Sequence, residues 1–576
     1  MMTFQELSRY FERLEGTTKR LEMFTILAEL FAKVSPGEIA PIIYLLQGQL
    51  LPSFRGLQMG MSEKLLVRAI ALGAEREPAD VAAAFKQSGD LGKTAEALLS
   101  GGGKRLTVTA VYEELIHTAK IGGEGSVEDK VARLADVFKR VSPQEARYIA
   151  RVVMGQLRLG AGDATVLEAL SLAVLGDRKG KAALERAYNL CSDLGVVGER
   201  LLSKGLAGVE AIHARLGYPI RPALCERLST TEEIIEKIGR CGVELKYDGL
   251  RLQIHKDGDR IEVFSRNLER MTDMFPEIAE AVIRSLKAER AIVEGEALAI
   301  SDTGELLPFQ VTMQRKRKHG IAAMAKDLPL RLFLFDLLDL DDEDYTTKPY
   351  AERRAKLQAL LKANPVIELS HAIETDDPGE LQRFFDEAVA AGQEGIVAKR
   401  LDGPYTAGAR NFNWIKLKRS YKGELTDTVD VVIVGYFAGR GQRAKFGVGT
   451  VLAAVYDDQA DLFKTVTKIG SGFSEEELRE LKAKMDEITL EHKPARVDSL
   501  MEPDVWVEPR YVLTVNADEI TRSQMHTCGK DVETPGYAMR FPRTVGFIRA
   551  DKRAEDATTV AEVIKLFDLQ KRVKVE

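Results

Sequence analysis

The sequence predicts a multi-domain chain: an all-α N-terminal unit, an α+β central unit and a C-terminal β-barrel. Three observations carry this. The first two hundred or so residues place apolar side chains at i, i+3, i+4 spacing with few β-branched runs. Strand-like runs begin near Pro219 to Pro222 and alternate with helical stretches. After Tyr421-Lys422-Gly423, short β-rich runs recur at spacings that suit a small barrel. A chain of 576 residues is too long for one core. The expected boundaries are 1–220, 221–420 and 421–576.

The helical unit contains an internal repeat. The stretch Leu27-Ala28-Glu29-Leu30-Phe31-Ala32-Lys33-Val34-Ser35-Pro36 matches Leu134-Ala135-Asp136-Val137-Phe138-Lys139-Arg140-Val141-Ser142-Pro143, offset by 107 residues. The same offset relates Gly48-Gln49-Leu50 to Gly155-Gln156-Leu157, so a helical segment is duplicated. Ser35 and Ser142 read as N-caps, proline follows at the first helical position, and Glu38 and Glu145 would close capping boxes. Each copy then reaches a second helix start, at Gly60-Met61-Ser62 and at Gly160-Ala161-Gly162-Asp163. Small residues there leave backbone N–H groups free for phosphate, and two such points about a pseudo-two-fold could grip two strands of a duplex. Plain helix–turn–helix connections give the same pattern.

In the central unit, 241–255 and 260–265 read as a hairpin with its turn at Lys256-Asp257-Gly258-Asp259. Leu250, Leu252 and Ile254 would face one way, and Arg251, Gln253 and His255 the other. Further strands are expected at 291–300, 330–335 and 395–399. In the third unit they are expected at 429–435, 450–455, 464–467 and 506–515. Ser474-Glu475-Glu476-Glu477 caps a helix, and 558–573 reads as a terminal one.

Composition narrows the function classes. With 45% hydrophobic and 30% charged residues the chain is an ordinary globular protein. No apolar run reaches membrane-spanning length, and the N-terminus lacks the form of a secretory signal. The scattered Cys191, Cys225, Cys241 and Cys528 form no CxxC pair, so neither zinc nor a disulfide framework is expected, and a cytoplasmic home is the simplest. A net charge of −6 means that nucleic-acid binding must come from local basic stripes. Arg315-Lys316-Arg317-Lys318-His319 is one candidate, or else a solvated loop.

The chemistry lies in an ordered set of motifs. Lys246-Tyr247-Asp248-Gly249-Leu250-Arg251 comes first, then Ser265-Arg266-Asn267 and Val293-Glu294-Gly295-Glu296. Phe333-Leu334-Phe335-Asp336, Glu394-Gly395-Ile396-Val397-Ala398-Lys399 and Trp414-Ile415-Lys416-Leu417-Lys418 follow. Arg540-Phe541-Pro542-Arg543 and Arg549-Ala550-Asp551-Lys552 close it. A KxDG tetrad alone is a common turn; the complete series is specific. It closely resembles the ATP-dependent DNA ligases, particularly the archaeal and eukaryotic replicative type, over nearly the whole chain.

The resemblance implies an adenylation domain, an OB-fold barrel and a helical DNA-binding domain. It also implies nick sealing in replication, repair and recombination. Lys246 would attack the α-phosphate of ATP, expel pyrophosphate and carry AMP to the nick 5′-phosphate, and the 3′-hydroxyl would then displace it. A lysine nucleophile must be neutral, and bringing a pKa of about 10.4 to near 7 takes roughly 4 to 5 kcal/mol. Arg251, Lys416, Lys418 and Mg²⁺ are expected to supply that shift. Lys416 and Lys418 alternate on one strand face, suited to the α-phosphate. Glu296 and Glu394 are the carboxylates expected near Mg²⁺ (or Mn²⁺) or the ribose. Phe335 offers a face to adenine, and Glu244 an acceptor for its amino group. Arg266 and Arg410 match nucleotide-contacting positions of the family, and Arg549, Asp551 and Lys552 would orient pyrophosphate. Each has a plainer reading: surface carboxylate, core phenylalanine, wet face of an edge strand.

The partner implied is nicked duplex DNA, bound by a monomer. Two features depart from relatives. The segment Ser100-Gly101-Gly102-Gly103-Lys104-Arg105-Leu106 lacks the aromatic pair with which many archaeal relatives bind a sliding clamp. The hinge after Lys418 reads Arg419-Ser420-Tyr421, where many relatives have an acidic residue. Rival readings are an RNA ligase, a capping guanylyltransferase and a catalytically silent nick-binding protein. The helical duplication and Glu244 count against the first two, and the intact motif set against the third. The absence of a four-cysteine cluster counts against an NAD-dependent ligase.

Overall fold

The computed structural model describes residues 1–573 apart from 18, 103–104, 124, 156, 158, 178, 308, 317–319, 363, 419–427 and 440–445. The hinge residues 419–421, the tip of the basic run at 317–319, and positions 103–104, 156 and 158 therefore lie outside the described residues.

Helices fill the chain from Phe4–Gly16 to Leu194–Glu210 around one apolar core. The repeat is realised as matched helices, Pro36–Leu46 and Pro143–Val153, at the offset read from sequence. The copies exchange partners: Glu63–Ala74 packs on Ser126–Arg140 of the other copy, and Asp163–Leu175 packs on Arg20–Phe31. That reciprocity is what a pseudo-two-fold requires. The two caps differ. Ser142 forms its capping box with Glu145. Ser35 makes no cap bond to the backbone, because Glu38 instead accepts from the Ser35 hydroxyl at 2.6 Å and from the Met2 N–H at 2.7 Å.

The central unit holds two sheets. One has five strands in the order Leu224–Arg227, Arg410–Lys418, Gly395–Arg400, Cys241–Lys246, Ala372–Thr375. The other runs Arg260–Ser265, Leu250–Asp257, Arg290–Ala299, Leu330–Leu340, Glu343–Asp344, with Ile367–Leu369 parallel to Leu330–Leu340. The expected hairpin is thus corrected. Leu250–Asp257 and Arg260–Ser265 do pair, but Cys241–Lys246 belongs to the other sheet. The chain crosses between sheets at Tyr247-Asp248-Gly249. A Cβ at Gly249 would lie 2.5 Å from the Ala297 carbonyl, so only glycine passes there. Leu250, Leu252 and Ile254 enter the core as expected. Gln253 and His255 face away from them yet are buried too, against the Gly217–Ile220 segment.

In the C-terminal unit Val429–Phe437, Thr450–Asp457 and Leu462–Ile469 pair in series, and Val512–Asn516 returns to Val429–Phe437. Arg543–Thr544 lies on Val512–Asn516 and is bridged to Ser471, which closes the ring. The single strand expected over 506–515 is two, Val505–Val507 and Val512–Asn516, separated around Pro509, which has no N–H for a ladder. Ser474 caps Glu475–Asp486 through a capping box, and the terminal helix is Val560–Val573.

The barrel sits against both other units. Asp163, at the start of a helix expected to meet phosphate, accepts from Tyr188 at 2.6 Å, Arg221 at 2.8 Å and Arg553 of the barrel at 3.2 Å. Burial alone would raise its pKa, but Arg221 and Arg553 outweigh that and hold it at about 2. Asp461 of the barrel accepts from Thr165 at 2.9 Å and from Arg20 at 3.4 Å. Of the basic run, Arg315 is buried against Glu277 and Lys316 pairs with Glu269 at 2.6 Å, so neither is a free cation in this conformation. No described helix is long and apolar enough to cross a membrane, and the four cysteines are free.

Candidate active site

A cavity of about 820 Å³ opens where the two central sheets meet, and the barrel roofs it. Every site residue singled out from sequence lines it, on seven separate stretches of chain that only the fold brings together. Lys246 ends its strand opposite Gly395 and donates to Glu394 Oε2. Lys418 pairs with Glu394 Oε1, so both oxygens of that carboxylate hold a lysine. Arg410, Lys416 and Lys418 project from one face of Arg410–Lys418. That strand lies second in its sheet, between two neighbours, which removes the edge-strand reading.

The charge state of Lys246 differs from the expectation. Burial pushes its pKa down, but Glu394 and then Glu296 pull harder, and the net shift is upward. The neighbouring cations do not prevail while Glu394 is in contact. Glu394 itself is held at about 2, its burial outweighed by Lys246 and Lys418. Lys416 falls to about 8, chiefly through burial, with Glu562 opposing. Glu296 rises to about 7 because burial outweighs Lys246, Arg251 and Arg266, and Asp248 adds to the rise. Asp248 is raised as well, by burial and then Glu394. Two carboxyls in one cavity are therefore under-compensated, whereas Glu394 is fully engaged.

Arg251 is braced rather than free. It meets Glu294 at 2.8 Å, the Ala223 carbonyl at 3.0 Å and the Tyr405 hydroxyl at 3.2 Å, while Tyr405 donates to Glu294 at 2.8 Å. Its guanidinium lies over Phe335 and Trp414 at 5.3 and 5.5 Å. Phe335 is both core, 8% exposed, and cavity wall. Arg266 lines the cavity beside Asn267, which donates to the Ala550 carbonyl of the barrel at 3.1 Å. That bond helps bring the last motif over the site. There Arg549 forks onto Asp551 at 2.6 and 2.7 Å, and Lys552 pairs with Asp430. Arg410 donates to the Cys225 carbonyl at 2.8 Å and pairs with Glu562 of the terminal helix, which also lies 3.7 Å from Lys416.

Sequence reasoning did not single out Glu294, Tyr405, Asp430 or Glu562. Glu294 stands two residues before Glu296 on one strand, and alternation puts both on one face. Glu562 follows Thr559 by three, a capping-box spacing present in the sequence, but nothing local places it at the cavity. Tyr405 and Asp430 gave no local signal.

Family models cover most of the chain. One described as "DNA ligase N terminus" matches residues 3–171, "ATP dependent DNA ligase domain" matches 222–418, and "ATP dependent DNA ligase C terminal region" matches 444–552. A "Probable DNA ligase" of Dictyoglomus turgidum is 51% identical over 576 residues, covering 100% of this chain and 99% of that protein. A "DNA ligase" of Staphylothermus marinus is 43% identical over 594 residues, covering 99% of each. One of Saccharolobus solfataricus is 41% identical over 595 residues, covering 100% and 99%.

Proposed function

The chain belongs to the ATP-dependent DNA ligases, and on that premise we propose that Lys246 carries AMP from ATP to the 5′-phosphate of a nick in duplex DNA. The enzyme joins DNA at the expense of ATP. The observation that carries the residue assignment is the cavity itself: one lysine, a cluster of cations and two under-compensated carboxyls beneath a roof of Arg549, Asp551 and Lys552.

Phosphoryl transfer calls for positioning and charge neutralisation. Entry of the triphosphate brings negative charge to Lys416, Lys418, Arg266 and Arg410. Lys418 then exchanges Glu394 for phosphate, and Lys246 gives up a proton to solvent as it turns from Glu394 to the α-phosphorus. Its neutral Nζ forms the N–P bond as the bond to pyrophosphate breaks. Phe335 stacks on adenine, Glu244 accepts from its amino group, and Arg251 is held ready by Glu294 and Tyr405. Arg549, Asp551 and Lys552 orient pyrophosphate for this first step. The nick phosphate next attacks the lysyl adenylate, and the 3′-hydroxyl finally displaces AMP.

Glu296 with Asp248 suits a divalent cation, since a cation there supplies the compensation these carboxyls lack. Mg²⁺ sites of this kind use one or two carboxylates and complete the shell with substrate phosphates. When bound, Mg²⁺ (or Mn²⁺) neutralises phosphate charge as the transfer proceeds. Glu394 would add a third carboxylate once the lysines have moved to phosphate. We assign duplex grip to residues 1–220, adenylation to 221–420 and the mobile roof to 421–576.

The test uses Lys246→Ala. It is expected to abolish sealing of an ordinary nick with ATP while still joining a nick supplied with a 5′-adenylate, since the last step needs no nucleophilic lysine. Loss of both reactions in a folded variant would place Lys246 elsewhere in the scheme.

A further inference from the structure

Glu244 is buried, 3% exposed, yet lines the cavity. Three donors converge on one of its oxygens. Tyr350 donates its hydroxyl to Oε1, Arg354 Nη1 reaches Oε1 at 3.0 Å and Lys399 Nζ at 2.9 Å. Among the described residues Oε2 receives none of these bonds.

The donors are themselves fixed. Tyr350 and Arg354 lie one turn apart on the Tyr350–Leu360 helix, so they share a face. Arg353, which precedes Arg354, is fully buried and forks onto Asp336 at 2.7 and 3.1 Å, pinning the helix to the strand that bears Phe335. Arg354 is tied on its far side to the Ser370 carbonyl at 2.7 Å. Lys399 also donates to the Phe335 carbonyl at 3.2 Å, with Trp414, Phe335 and Tyr350 rings 4.3 to 4.9 Å away. The ring of Tyr350 needs bare backbone beneath it: a Cβ at Gly242 would lie 2.6 Å from its Cε1.

A carboxylate that accepts on both oxygens can bind an amino group at either, or swing between them. Here one oxygen is saturated, which leaves the other as the acceptor offered to the cavity. An acceptor fixed in that way suits the 6-amino donor of adenine and opposes the 6-oxo acceptor of guanine. We propose that Tyr350, Arg354 and Lys399 are positioning residues that set base selection by locking Glu244 onto Oε1, so that Oε2 is presented to a 6-aminopurine. The proposal rests on the assignment of Glu244 as the acceptor of the adenine amino group.

The test measures covalent labelling of the full-length enzyme with ATP, with purine riboside 5′-triphosphate, which lacks the 6-amino group, and with GTP. Glu244→Ala, Tyr350→Phe and Arg354→Met are compared with the parent, and melting temperatures establish folding. Tyr350→Phe keeps the ring and removes only the donor. It is expected to lower the preference for ATP over the purine riboside triphosphate about tenfold, through KM for ATP more than through the saturating rate. Arg354→Met acts on a more accessible side chain and is expected to shift the preference the same way, so the test stands if Tyr350→Phe does not fold. A purely structural role would raise KM for both nucleotides together, and that result would overturn the proposal. If Glu244→Ala loses the preference while Tyr350→Phe and Arg354→Met retain it, Glu244 reads the base without the locking set. If Glu244→Ala itself retains the preference, the assignment of Glu244 fails, and the locking role falls with it.

Discussion

At the residue scale, the site is a set of carboxylates and cations that compensate one another until substrate replaces a partner. Glu394 shows this most directly, because both its oxygens hold lysines that the proposed mechanism hands over to phosphate. The pH behaviour follows from Lys416, whose pKa is lowered to about 8. Below that pH it is an ammonium that attracts phosphate, and above it the attraction is lost. The Kd for ATP should therefore rise as pH rises through about 8, and Lys416→Arg should move that alkaline limb to higher pH because a guanidinium stays protonated. An alkaline limb unchanged in the arginine variant would assign it to another group. The residue types of the site were legible in the sequence as an ordered motif series, but the net sign at Lys246 was not. It depends on Glu394 lying in contact with Nζ, a contact between residues 148 positions apart.

At the element scale, periodicity located most strands and helices, and it failed where neighbours decide the outcome. The run 241–255 reads as one strand because both halves alternate, although the apolar positions slip from Cys241, Val243 and Leu245 to Leu250, Leu252 and Ile254. At Tyr247-Asp248-Gly249 the chain crosses from one sheet into the other, past an Ala297 carbonyl that leaves room only for glycine. Both serines at the duplicated helix starts look alike in sequence, yet Glu38 takes the Ser35 hydroxyl and the nearby Met2 N–H as its donors, so the Ser35 side chain does not cap the backbone. The terminal helix carries the clearest consequence. Glu562 at its start closes a capping box with Thr559 and also pairs with Arg410 and Lys416 in the cavity. Glu562→Gln keeps the cap, since glutamine serves at that position, and removes the charge. KM for ATP in self-adenylation should fall severalfold with the melting temperature nearly unchanged. An increased KM would mean that Glu562 supports the nucleotide rather than competing with it.

At the scale of the whole molecule, the barrel covers both the cavity and the helix start at Gly162–Asp163 that the sequence offered to phosphate. On the proposed duplex grip, DNA and the barrel compete for that surface, so nick binding is predicted to part the Asp163–Arg553 and Asp461–Arg20 contacts. Each charge-assisted contact is worth roughly 2 kcal/mol when partly buried. The double variant Arg20→Met, Arg553→Met should raise the population of extended molecules, read as a larger radius of gyration in small-angle X-ray scattering without DNA. An unchanged radius would mean that other contacts hold the barrel in place. The three-unit architecture was legible from composition and periodicity, but this docking was not, since it joins Arg20 to Asp461 across nearly the whole chain. The central claim is that one lysine carries the adenylyl group through this site. Its most direct measurement is incubation with Mg²⁺ and α-labelled ATP, followed by denaturing separation and a chase with nicked DNA. The account predicts label that stays with the protein, is absent from Lys246→Ala and is discharged by the nick. Label that persists in Lys246→Ala, or that nicked DNA does not remove, would contradict it.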